Sequence, residues 1–212
     1  MEPFERWEAF HEPSGRVGAL RRSLEAGVLT TRIAFGRPPE LYLAVSRIRL
    51  DDDGSWQLSR FHAPGTTGPV LLDRTGGGFG PESMPGYGEF LLVRRFVAGG
   101  AAELPYVQLA DDVPGGDPVS AVLRAAPSAP RRTSVAVDGL GLDGARAVER
   151  IQAGRTAARH WVRAGEMVAS DWQGAVSVPV AGAPSDAAWA SLEDLDDAAI
   201  EFLTATGRHA GS

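Results

Sequence analysis

The spacing of apolar and polar positions changes its period several times along this chain. In residues 4–27 the apolar positions Trp7 and Phe10, then Leu20 and Leu24, lie three and four apart, which predicts helix. Pro13-Ser14-Gly15 splits the stretch into two short helices, the second starting near Ser14. Gly27 reads as a C-terminal helix cap. Val28 to Phe35 is β-branched and apolar and predicts a strand. Leu41, Leu43, Val45, Ile48 and Leu50 keep a period near two. Asp51-Asp52-Asp53-Gly54 is a strong hairpin turn, because Asp-Gly tolerates positive φ, and Trp56, Leu58 and Phe61 form the return strand.

Residues 63–88 interleave glycine with proline, and only Val70-Leu71-Leu72 reads as a short strand. The continuous apolar run of residues 89–97 predicts a strand buried on both faces. Tyr106 to Leu109 predicts another strand. Asp117-Pro118 predicts the opening of a short helix to Ala125, with aspartate capping and proline in the first turn. Residues 127–132 read as a linker and 133–138 as a strand. Gly154, Gly165 and Gly174 recur at intervals that suit turns, so strands are expected near 146–152, 156–163, 166–172 and 175–180. Trp189, Leu192, Leu195, Ile200 and Leu203 form one face of a helix over 186–206.

These elements predict an α+β fold, a mostly antiparallel sheet flanked by N-terminal and C-terminal helices. Residues 1–126 would form a β-rich half with its N-terminal helix. Residues 132–212 would form a β-meander with the C-terminal helix, the two halves either separate or sharing one core.

Composition removes much chemistry. The chain of 212 residues contains no lysine, cysteine or asparagine, and all 21 of its basic residues are arginine. Schiff-base lysines, P-loop lysines, thiolate nucleophiles, disulfides and cysteine metal sites are therefore excluded. Scarce A-rich codons and abundant alanine, glycine and arginine are what a GC-rich genome writes, so arginine carries information only where it clusters. A net charge of −6 argues against a protein that tracks nucleic-acid phosphates. Met1 to Arg6 lacks the pattern of a secretory signal, and no apolar run approaches a membrane span, so a cytoplasmic protein is expected.

Candidate chemistry is sparse. Thr75-Gly76-Gly77-Gly78-Phe79-Gly80 can form an anion nest or a lid, without the lysine of a P-loop. His62, at a strand end beside this loop, is the foremost acid/base candidate. His62, Asp73, Arg74, Gly77, Gly78 and Tyr87 together form the candidate ligand-binding set. Gly139-Leu140-Gly141-Leu142-Asp143-Gly144 has the form of a dinucleotide fingerprint and so resembles Rossmann enzymes there. Asp143 would set negative charge against a pyrophosphate, and Asp138-Gly139 is itself a hairpin turn. Glu8 and His11 lack the second pair of a dimetal bundle, Asp51–Asp53 lack EF-hand spacing, and no G-x-S-x-G elbow occurs. No metal site, cofactor or catalytic residue is assigned. Glu193, Asp194 and Asp197 offer an acidic face for a basic partner. The sequence therefore predicts a non-enzymatic accessory protein, of a regulatory or immunity type, that binds another protein; the alternative is a small-molecule-binding protein or an enzyme with a pocket formed by loop 62–88.

Overall fold

The apolar pattern resolves into strands almost throughout. The computed structural model describes residues 2–36, 39–63, 66, 68–183 and 195–205. The first strands are β1 (Phe4–Glu12), β2 (Gly15–Glu25), β3 (Val28–Phe35), β4 (Tyr42–Leu50), β5 (Trp56–His62), β6 (Val70–Asp73) and β7 (Ser83–Pro85). A 3-10 turn at Gly86–Gly88 leads into helix α1 (Glu89–Gly99). There follow β8 (Glu103–Leu109), β9 (Val119–Ala125), β10 (Arg146–Gln152), β11 (Arg155–Arg163), β12 (Glu166–Asp171) and β13 (Val176–Val180), then helix α2 (Asp197–Thr204). All thirteen strands join one sheet in the order β6-β5-β4-β3-β2-β1-β13-β12-β11-β10-β9-β8-β7. Every pairing is antiparallel except β7 with β8.

The α+β expectation, with helices flanking a sheet, is overturned: among the described residues this is a barrel-like, almost wholly antiparallel sheet with two short helices. Residues 4–27 are a hairpin of β1 and β2, not two helices. The cause is that the sheet buries residues on both faces. Trp7 faces outward into one apolar cluster, while Phe10 lies on the inner row with Phe35 and Tyr42. A spacing of three between opposite faces imitates a helix. Leu20 and Leu24 are four apart, which satisfies a strand face as well as a helical one.

Residues 89–97 invert the error: the expected strand is helix α1. Phe90, Val93, Phe96 and Val97 fall on a helical stripe and are buried together with Leu91. Gly100, at φ 69°, ends the helix in the left-handed region that glycine favours. Eleven residues make a marginal helix in isolation, so packing holds it. Residues 117–125 turn extended after Asp117, giving β9 where a helix was expected, since the φ of proline suits both states. Residues 133–138 form no strand; Val135 and Leu142 pack over the outer face instead. The expected C-terminal helix is observed as α2, while residues 186–194 of that expectation lie outside the described residues.

The sheet curls until its edges face each other through side chains. Trp56 Nε1 of β5 donates to the Ser83 carbonyl of β7 at 2.8 Å, and Ser59 Oγ donates to Asp111 at 3.2 Å. Helix α1 lies inside the curl. Its apolar face merges with Leu29, Ile48, Phe61 and Leu72 from one half and Leu109, Leu123 and Val148 from the other. Helix α2 and the 133–145 segment cover Trp7, Ala19, Ala34 and Trp161 outside. The sheet runs unbroken past residues 127–132, because β9 pairs with β10 across them. No helix among the described residues is long and apolar enough to cross a membrane.

Three hairpins turn on Ala-Gly pairs: Ala26 (φ 47°) with Gly27, Ala153 (φ 48°) with Gly154, and Ala164 (φ 51°) with Gly165. Gly27 thus belongs to a turn rather than to a helix cap. Two consecutive positive φ values match the twist of antiparallel strands, but left-handed backbone costs alanine about 1–2 kcal/mol. Asparagine is the natural occupant, and this chain has none. Ala153→Asn and Ala164→Asn are each expected to stabilise the fold by about 0.5–1 kcal/mol, read as a higher urea midpoint at unchanged slope. A lower midpoint would contradict this turn geometry.

Candidate functional site

The inner face of the sheet is not uniformly apolar. Cross-strand register aligns Glu8, Leu20, Ile33 and Ala44 in one inner row, and Arg6, Arg22, Thr31 and Ser46 in the next. Two carboxylates organise the charge. Glu8 is buried, with hydrogen bonds from Arg6 Nε at 2.9 Å, Ser177 Oγ at 2.5 Å and Arg22 Nη1. Burial would raise its pKa, but the Arg22 and Arg6 charges and these hydrogen bonds hold it at about 2.

Glu89 opens α1 and points into the sheet, where it is equally buried. Its Oε2 accepts from Tyr106 Oη at 2.7 Å and Arg150 Nη1 at 2.9 Å, and its Oε1 meets His160 Nε2 at 2.8 Å. A carboxylate only accepts, so Nε2 carries the proton. Burial pushes the Glu89 pKa up, yet His160, Arg150 and Tyr106 outweigh it and hold the group at about 2. His160 Nδ1 lies 3.0 Å from Ser170 Oγ. The sequence Ser170–His160–Glu89 has the order of a nucleophile relay. However, Ser170 is within hydrogen-bonding distance of Met167 Sδ, and β12 is laddered on both sides at this residue. The relay therefore reads as an orienting network.

A cavity of about 530 Å³ opens above these groups, inside the curl. Phe10, Leu20, Ile33, Phe35, Phe90 and Trp172 supply its apolar wall. Arg22, Glu89, Arg150 and His160 supply polar lining. Arg22 is 6% exposed and stacks 4.9 Å from the centroid of Phe90, and the Nε atoms of Arg22 and Arg150 have no hydrogen-bond partner. Phe10 stacks between Phe35 (6.1 Å) and Trp172 (5.6 Å). Gly18 sits between Phe10 and Phe35 in register, and a Cβ there would lie 2.6 Å from Phe35 Cβ. Its bare backbone lets the two rings meet across β2.

Asp111, Asp112 and Asp117 also line the cavity. Asp111 accepts from the Tyr87 N–H at 2.9 Å as well as from Ser59. Burial, with the Asp112 charge adding to it, raises the Asp111 pKa to about 6 despite these hydrogen bonds.

The expected ligand set is dispersed. Tyr87 lines the cavity and stacks on Phe61 at 5.7 Å. His62 is exposed at the end of β5 and lines a different, outer cleft. Asp73 accepts from the Gly76 N–H at 2.7 Å, and Gly77 and Gly78 continue that exposed turn. Arg74 lies 3.9 Å from Asp51. Asp197 is exposed in the first turn of α2, behind the capping Asp196, while Glu193 and Asp194 lie outside the described residues. Arg94, in α1, pairs with Glu166 at 2.8 Å, and Arg95 is exposed. No cluster of three or more metal-ligating side chains occurs among the described residues.

Sequence reasoning passed over Glu89, Arg22, Arg150, His160 and Asp111. For His160 a signal existed: period two places it on one face with Ala158 and Val162, both buried. For Glu89 none did, since its role depends on α1 being a helix.

The fold and site define a curled antiparallel sheet enclosing an amphipathic cavity. No protein-family model and no curated protein matches the chain. Among solved structures it is similar to a β-barrel-like protein of a domain of unknown function, DUF1849, from Brucella abortus. That likeness has a TM-score of 0.42 at 8% identity and covers 84% of this chain and 95% of the other.

Two pH responses of opposite sign follow. The Glu89 pKa drops from 4.5 to about 2 on folding, so its stabilisation is complete above pH 4.5 and is lost as pH falls toward 2. Glu89→Ala leaves the part-buried Arg150 and the buried His160 without their carboxylate and is expected to cost about 3–5 kcal/mol at neutral pH in urea unfolding. A loss below about 1 kcal/mol would refute the network. The Asp111 pKa rises from 3.8 to about 6, so its contribution is complete below pH 3.8 and is lost as pH rises through 6. Asp111→Asn is therefore expected to be more stable than the parent chain above pH 6, with the difference vanishing near pH 4. A constant difference across that range would contradict the shift.

Proposed function

We propose that this protein binds a small molecule inside its curled sheet. The carrying observation is the cavity of about 530 Å³, with apolar walls and two incompletely hydrogen-bonded arginines among its lining groups. Its volume lies in the range of small-ligand sites, and such sites combine apolar walls with a few fixed polar groups. The ligand that suits it has an apolar body and one hydrogen-bond-accepting end. The body packs on Phe10, Leu20, Ile33 and Trp172, and the accepting end meets Arg22 and Arg150. Among its described residues, loop 62–88 contributes Gly86 and Tyr87 to this site. The alternative of a protein partner on the acidic C-terminal face draws support from Asp197, which is exposed on α2.

The test uses N-phenyl-1-naphthylamine, a neutral apolar fluorophore, titrated into the full chain. Saturable fluorescence enhancement with one site per chain is expected. Ile33→Trp fills the cavity and is expected to weaken binding by about tenfold or more, with a thermal midpoint close to the parent. Absence of saturable binding, or equal affinity in the folded variant, would refute the reading.

A further inference from the structure

The outer face of β3–β5 gathers more arginines than acids among the described residues. Arg47 of β4 stands directly opposite Arg60 of β5, and Arg32 of β3 directly opposite Arg21 of β2. His62 lies opposite Val45, which lies opposite Arg32, so all three share the row beside the Arg47–Arg60 pair. Like charges opposed across a ladder are destabilising. Arg21 is compensated by Glu5 at 2.7 Å and by the Leu203 carbonyl. Arg32 is buried, donates to the Phe202 carbonyl at 3.0 Å and stacks on the Phe202 ring. The side chains of Arg47 and Arg60 make no hydrogen bond or ion pair with any described residue.

These side chains line a cleft of about 450 Å³ between the sheet and α2. Among the described residues, three guanidiniums and His62 face a single carboxylate there, that of Glu201. The remaining lining is apolar: Val45, Ala198, Phe202 and Ala205. Burial and the neighbouring Arg47 and Arg21 charges depress the Arg32 pKa, which is the sign of uncompensated positive charge. In a chain of net charge −6 this local excess is not compositional. Guanidinium forks match the oxygens of phosphate, and two forks on adjacent strands can hold one such group.

We propose that this outer cleft binds a phosphate monoester carrying an organic group. The phosphate sits between Arg47 and Arg60, with Arg32 and His62 beside it. The organic group lies on Val45, Phe202 and the alanines of α2. This site is separate from the interior cavity and does not depend on it.

Calorimetric titration of the full chain at low salt would compare inorganic phosphate with phenyl phosphate. Phenyl phosphate is expected to bind more tightly, and roughly 0.5 M salt is expected to weaken both. Arg47→Gln combined with Arg60→Gln is expected to reduce phenyl phosphate affinity by about tenfold or more. That variant is expected to have a urea midpoint at or above that of the parent, since an opposed like-charge pair is removed, and to keep its binding of the apolar fluorophore, which separates this site from the interior one. Co-sedimentation with phosphatidic acid vesicles, but not phosphatidylcholine vesicles, would assign the phosphate to a lipid headgroup. Phenyl phosphate binding without co-sedimentation would assign it to a soluble ester. No binding of either phosphate, or unchanged affinity in the folded double variant, would overturn the proposal.

Discussion

The carboxylate of Glu89 ties α1, the helix inside the sheet, to the strands around it. It begins α1 and receives Tyr106 from β8, Arg150 from β10 and His160 from β11. A buried charge without partners would be expelled or neutralised, so the helix can sit inside the curl only if those three strands converge on it. Their convergence bends the second half of the sheet around α1. The apolar side of α1 then gives the first half something to close against, through Leu29, Ile48, Phe61 and Leu72. Cavity, aromatic wall and edge-to-edge contacts all lie downstream of that arrangement.

The same construction explains why the interior is not filled. Arg22 and Glu8 occupy inner-row positions that leucine or valine would otherwise take. Long charged side chains anchored at their tips hold the walls apart, where aliphatic ones would interdigitate. Phe10 and Phe35 meet over Gly18 and line the same space. The outer face solves a different problem. Alpha2 and residues 133–145 cover its central strands, while β3–β5 carry arginines whose side chains find no acidic partner among the described residues.

Much of the strand content was legible. The hairpin across Asp51–Gly54 follows from Asp-Gly between period-two runs, and β10 to β13 follow from glycines spaced at turn intervals. Gly27 carried the same signal as Gly154 and Gly165, yet its neighbours Leu20 and Leu24 fit a helix equally well. Trp7 and Phe10 misled because they are apolar residues on opposite faces of one strand. Residues 89–97 misled because an apolar run without alternation has no period to read. Of the cavity, only Tyr87 was nominated beforehand; His62, Asp73 and Arg74 went to other surfaces.

By itself the sequence determined what chemistry this protein lacks, where most of its turns fall and that strands dominate its second half. Those are local properties, set by residue type, φ preference and short-range period. Tertiary structure alone decided that β1 pairs with β13, joining the two runs of strands into one sheet, and that Glu89 and His160 meet although 71 residues apart. It also decided which arginines are paired and which are left open. A sheet with both faces buried erases the alternation by which a sequence declares inside from outside, so those decisions wait for the strands to be assembled.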